Sequence, residues 1–65
     1  MKILLWQQCQ NQGMSLDKLS KLTGISRSTL YRIENGETSP TMYYMERLAM
    51  ALNVKISDLY ESQYK

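Results

Sequence analysis

Residues that stop helices cut this chain into short pieces. Gly13, Gly24, Gly36 with Pro40, and Asn53 recur along its 65 residues. Gly and Asn tolerate the left-handed backbone that closes a helix, and Pro cannot continue one. Between these stops the apolar residues recur at three and four, the period of a helix, and no segment alternates as a strand would. The pattern predicts an all-α chain without strands.

The start signals agree. A first helix is expected from about Lys2 to Asn11. Ser15 is placed to cap a second helix with its side-chain oxygen, and Asp17 falls in the first turn, where a carboxylate suits the positive helix end. Gly24 closes that helix, and Ile25 lies in a very short turn. Ser26 caps a third helix that begins at Arg27 and ends at Asn35-Gly36. Thr41 caps a fourth from Met42 to Leu52, which Asn53 terminates, and Ile56 to Glu61 read as a short fifth. Leu19, Leu30, Ile33, Met45, Leu48, Ala49, Leu52 and Leu59 have the spacing of one shared core. Trp6 reads as a core anchor and Cys9 as a small buried hydrophobe.

A chain of this size is expected to form one domain, residues 1–65, burying only about 60% of its unfolded surface. With one Cys and no His it can form neither an internal disulfide nor a zinc site, which suits a reducing cytoplasm. No signal peptide is apparent, and the apolar run Ile3 to Trp6 falls far short of the roughly 20 residues that span a bilayer. The carboxylates Asp17, Glu34, Glu37, Glu46, Asp58 and Glu61 form no recognisable pair. No catalytic residue, metal or cofactor is expected, and an enzyme is a poor reading.

The net charge is only +2, but its distribution is uneven. Up to Gly36, Lys2, Lys18, Lys21, Arg27 and Arg32 face only Asp17 and Glu34, whereas the remainder is slightly acidic. A one-sided positive field attracts phosphate backbones.

On a helical wheel the third helix has two sides. Ser26, Thr29, Leu30 and Ile33 share one, which should face the core. Arg27, Ser28, Tyr31, Arg32 and Asn35 share the other, which is cationic and hydrogen-bonding. The tight joint at Gly24, Ile25 and Ser26 sets this helix at a steep angle to the one before it. Such a projecting side suits double-stranded DNA, because an Arg fork can bind guanine N7 and O6 together.

The run from Gly13 to Gly36, with its Gly24-Ile25-Ser26 turn and its Arg32-Ile33-Glu34-Asn35-Gly36 ending, resembles the helix-turn-helix of the phage repressor and Cro-like family, also called the xenobiotic-response-element family. Ser39-Pro40-Thr41 and Leu48 to Val54 match the next segments of that family's pattern. The resemblance covers nearly the whole chain. It implies a compact five-helix fold whose third helix lies in the major groove. It further implies that Arg27, Ser28 and Arg32 reach base edges, with Tyr31 as a fourth. Ser26 and Thr29 would hold phosphates or sugars, and the helix start at Ser15 and Leu16 would grip a phosphate. Asn35, Thr38, Ser39 and Thr41 complete the expected backbone contacts.

Three positions depart from the family pattern. Leu16 stands where Gln often contacts a phosphate. Cys9 stands where many members carry an Arg that pairs with the residue matching Glu34, which leaves Glu34 to another partner or to solvent. Gln8 occupies a usually apolar position of the first helix, for which a rotated packing of Leu5 and Trp6 would compensate.

Tyr43, Arg47 and Met50 form an outward stripe on the fourth helix, and Tyr60 and Tyr64 add aromatic surface near the C-terminus. Aromatics, Met and Arg are enriched where proteins meet. The stripe therefore reads either as a homodimer interface or as tyrosines packed over a small core. The leading expectation is a sequence-specific transcriptional regulator, a repressor binding a palindromic operator as a dimer. The alternative is a protein-interaction module of the same fold, such as an antitoxin or anti-repressor.

Overall fold

A computed structural model describes Met1 to Lys65. The elements run β1 (Lys2–Ile3), α1 (Leu5–Gln12), α2 (Leu16–Thr23), α3 (Arg27–Glu34), α4 (Met42–Leu52), a 3-10 turn (Ile56–Leu59) and β2 (Tyr60–Glu61). The three inner helices begin where their capping hydroxyls predict. Ser15 Oγ accepts from the Lys18 amide at 3.1 Å, Ser26 Oγ from Thr29 at 3.3 Å, and Thr41 Oγ1 from Tyr44 at 3.1 Å. Their ends also match. Gly24 and Asn53 take left-handed conformations, and Glu37 and Gly36 donate back to Arg32 and Ile33 to close α3.

Both ends of the chain differ from expectation. There are four α-helices rather than five, because Ile56–Leu59 is a single 3-10 turn. Its Asp58 amide bonds to the Lys55 carbonyl at 2.9 Å, and the Asp58 carboxylate caps the Lys55 amide at 3.0 Å. The chain then becomes extended to pair with its own beginning. Ile3 faces Tyr60 and Lys2 faces Glu61 in an antiparallel ladder, so the expected absence of strands does not hold. The first helix accordingly starts at Leu5 and not at Lys2. A two-residue strand is too short to alternate visibly, so its periodicity carries no signal.

The core is built around α4, which packs on α2, α1 and the 3-10 turn. All eight residues expected in the core are buried, joined by Leu5, Cys9 and Ile25. Gln8 is satisfied by the Asp58 carbonyl at 3.1 Å, and Gln12 by the Leu52 carbonyl. Polar residues of α1 thus supplement the apolar packing of Leu5 and Cys9 with satisfied hydrogen bonds.

The turn between α2 and α3 is fixed by hydroxyls. Buried Thr23 donates to the Leu19 carbonyl at 2.8 Å and accepts from the Ile25 amide at 3.2 Å. Ser20 Oγ donates to the Ile25 carbonyl at 2.6 Å. Gly24 has a φ of +73°, and a β-carbon there would lie 3.1 Å from Arg47 Nη2. Gly24→Ala is therefore expected to destabilise by about 1–2 kcal/mol through its left-handed backbone alone, and to displace the Arg47 guanidinium. Urea unfolding checks the first effect; an unchanged midpoint would contradict it.

Candidate nucleic-acid interface

The inner side of α3 is anchored and its outer side is open. Leu30 and Ile33 are both 0% exposed, which fixes the rotation of the helix about its axis. Arg27, Ser28, Tyr31 and Arg32 then face solvent, and Asn35 is exposed just past the helix end. Ser26 is exposed rather than core-facing, because a capping residue sits off the helical cylinder. Its hydroxyl lies 2.9 Å from that of half-buried Thr29.

The two arginines differ. Arg27 Nη1 pairs with Asp17 Oδ1 at 2.8 Å. The chain's other ion pair joins Lys65 to Glu61, so Arg32 has no carboxylate partner. Tyr31 is 51% exposed, yet its ring meets Trp6 edge-on, with centroids 5.5 Å apart and planes at 79°. Trp6 is half-buried against the core and also braces the outer side of α3.

The caps Ser15 and Thr41 and the loop residues Thr38 and Ser39 are also exposed. Leu16 is half-buried and packs against the core. Its side chain is thus engaged inward, and the exposed residue at this helix start is the cap Ser15.

Glu34 takes a role that sequence reading did not assign. Leu4, at the start of α1, offers no capping side chain. Glu34 Oε1 accepts instead from the Leu5 and Trp6 amides, at 3.0 and 3.2 Å. The last turn of α3 therefore caps the first turn of α1 across the fold, where a carboxylate also complements the helix dipole. Two signals pointed this way: no Ser, Thr, Asp or Asn precedes Leu5, and Cys9 leaves Glu34 without its usual Arg. Cys9 is a free, buried thiol. Burial, and to a lesser degree the Glu34 carboxylate, pushes its pKa up, which keeps it protonated and unreactive.

No group of three His, Cys, Asp or Glu side chains converges as a metal site would require. The tyrosine-rich surface divides in two. Tyr43 and Met50, with Leu22 and Arg47, line an open groove on α2 and α4. Arg47 donates to the Tyr43 hydroxyl at 2.9 Å and lies over its ring. Tyr60 belongs instead to β2 and packs against the core beneath Lys65, while Tyr64 is 88% exposed.

Residues 7–59 match the helix-turn-helix family. The chain belongs to that family. Helix-turn-helix domains of this kind are DNA-binding parts of transcriptional regulators and not enzymes. Among curated relatives, the HTH-type transcriptional regulator SutR of Escherichia coli (strain K12) is 42% identical over 53 residues, covering 82% of this chain and 30% of the relative. The HTH-type transcriptional regulator SlrR of Bacillus subtilis (strain 168) is 27% identical over 55 residues, covering 83% of this chain and 36% of the relative. An uncharacterized HTH-type transcriptional regulator of Archaeoglobus fulgidus is 31% identical over 48 residues, covering 74% and 69%. The chain thus spans only 30% and 36% of the length of the first two. Among solved structures, the N-terminal DNA binding domain of SinR from Bacillus subtilis superposes with a TM-score of 0.77, covering 94% of this chain and 90% of that one. At 24% identity, this likeness speaks for the fold alone.

Proposed function

We propose that this helix-turn-helix domain reads double-stranded DNA with α3 in the major groove and serves a transcriptional repressor that occludes a promoter. The observation that carries the reading is the open, cationic side of α3 held outward by buried Leu30 and Ile33. Arg32, exposed and without an acidic partner, and Arg27 read base edges, with Ser28 and Tyr31 beside them. The helix starts at Ser15-Leu16, Ser26-Thr29 and Thr41, with Asn35, Thr38 and Ser39, hold phosphates. A two-fold dimer on a palindromic operator places two α3 helices about 34 Å apart. The exposed groove bearing Tyr43, Arg47 and Met50 supports a face between copies, with Tyr60 and Tyr64 as a separate, second patch. The proposed setting is the cytosol, where Cys9 stays a free thiol; no helix is long and apolar enough to cross a membrane.

Selection from random duplex DNA, followed by titration across salt, tests this. A symmetric site should emerge, and its affinity should fall steeply as salt rises. Arg32→Ala should lose about 1–3 kcal/mol of discrimination at one base position per half-site. Recovery of no preferred duplex would sink the proposal.

A further inference from the structure

The guanidinium at the head of α3 is held before any duplex arrives. Arg27 Nη1 donates to Asp17 Oδ1 at 2.8 Å, although the two side chains remain 64% and 67% exposed. The pair joins the first turn of α2 to the first residue of α3. With Ser20 and Lys21 it borders an open polar cleft of about 320 Å³. An ion pair this exposed contributes at most about 1 kcal/mol to stability, so its consequence lies elsewhere.

We propose that Asp17 is a positioning residue that sets specificity: it orients Arg27 for a base edge and withholds that charge from phosphates. The inference rests on the reading of α3 as the helix that enters the major groove. A guanidinium carries five donors in a planar fork. The bond to Asp17 occupies Nη1 and leaves Nη2 and Nε for guanine N7 and O6. A fork already fixed loses less side-chain freedom when it meets a base. Asp17 also places a negative charge beside Arg27, at the end of α2 that would approach the backbone. A neutralised Arg27 releases no counterion from a misplaced duplex. Arg32 has no such restraint, so beside reading its own base position it also adds to the general attraction for phosphates. Asp17 thus lowers affinity for duplex at large and sharpens the choice among sequences.

The test compares the unaltered chain with Asp17→Asn, Arg27→Ala and the double variant. Each is titrated by fluorescence anisotropy, over a salt series, with the operator recovered by selection and with a scrambled duplex of equal length. Asp17→Asn should bind the scrambled duplex about three- to tenfold more tightly, with a salt slope steeper by about one counterion. Its preference for operator over scrambled duplex should fall about tenfold, the discrimination that one guided bidentate contact supplies. In the Arg27→Ala background the same change should leave that preference unaltered. Circular dichroism confirms that each variant is folded. If the unaltered chain is selective and Asp17→Asn is equally selective, the inference fails alone. It also fails alone if preference falls equally in both Arg27 backgrounds, since Asp17 would then act as a bare charge. An unaltered chain that prefers no duplex overturns the DNA-reading proposal and this inference together.

Discussion

Leu30→Ala is expected to remove about 3 kcal/mol of stability and leave much of the chain unfolded at physiological temperature. Leu30 is 0% exposed and belongs to the cluster that also contains Leu19, Leu48 and Leu52. Truncation removes its transfer free energy and leaves a cavity that short, close-packed helices fill poorly. A domain of this size has little stability in reserve. The effect should be disproportionate on the proposed activity, because Leu30 and Ile33 hold the outer side of α3 outward. Leu22→Ala is the control, since Leu22 is 54% exposed and should change stability by less than about 0.5 kcal/mol. Urea melts of both variants measure the difference. A Leu30→Ala midpoint matching that of Leu22→Ala would contradict the close packing of α3 on the core.

Glu34→Ala should cost about 1–2 kcal/mol, a loss expected of a capping residue and unexpected of a half-exposed carboxylate. The Leu5 and Trp6 amides would lose their acceptor, and Leu4 cannot replace it. Glu34→Gln keeps an acceptor oxygen and loses only the charge acting on the helix dipole. It should therefore recover about half of the deficit. The comparison separates hydrogen bonding from charge. If Glu34→Ala melts with the unaltered chain, α1 does not depend on this cap.

The legible parts of the fold were those decided locally. Ser15, Ser26 and Thr41 each satisfy an amide three residues further on, so a single stretch of sequence contains both partners. Gly24 and Asn53 close helices by their own backbone preferences. The chain ends were illegible for the opposite reason. Lys2 and Ile3 are extended because Glu61 and Tyr60 lie beside them, and α1 starts at Leu5 because a carboxylate 29 positions away caps it. Turn and period rules do not reach across such distances.

The interface divides along the same line. That Arg27, Ser28, Tyr31 and Arg32 share one exposed side follows from helical geometry and was readable. That Arg27 is tied to Asp17, and Tyr31 braced by Trp6, depends on how helices cross. The expected grouping of Tyr43, Arg47 and Met50 with Tyr60 and Tyr64 also required knowledge of the tail. The tail turns back into a ladder with Lys2 and Ile3, which places Tyr60 in β2 opposite Ile3.

The contact between Trp6 and Tyr31 gives the molecule an optical probe of its own. Its single indole lies at the seam between the body and α3. A shift of that helix by a fraction of its diameter changes the indole's surroundings, and unfolding exposes the ring to water. Emission from one native chromophore can thus follow both how the helix is seated and whether the chain is folded, with no dye attached.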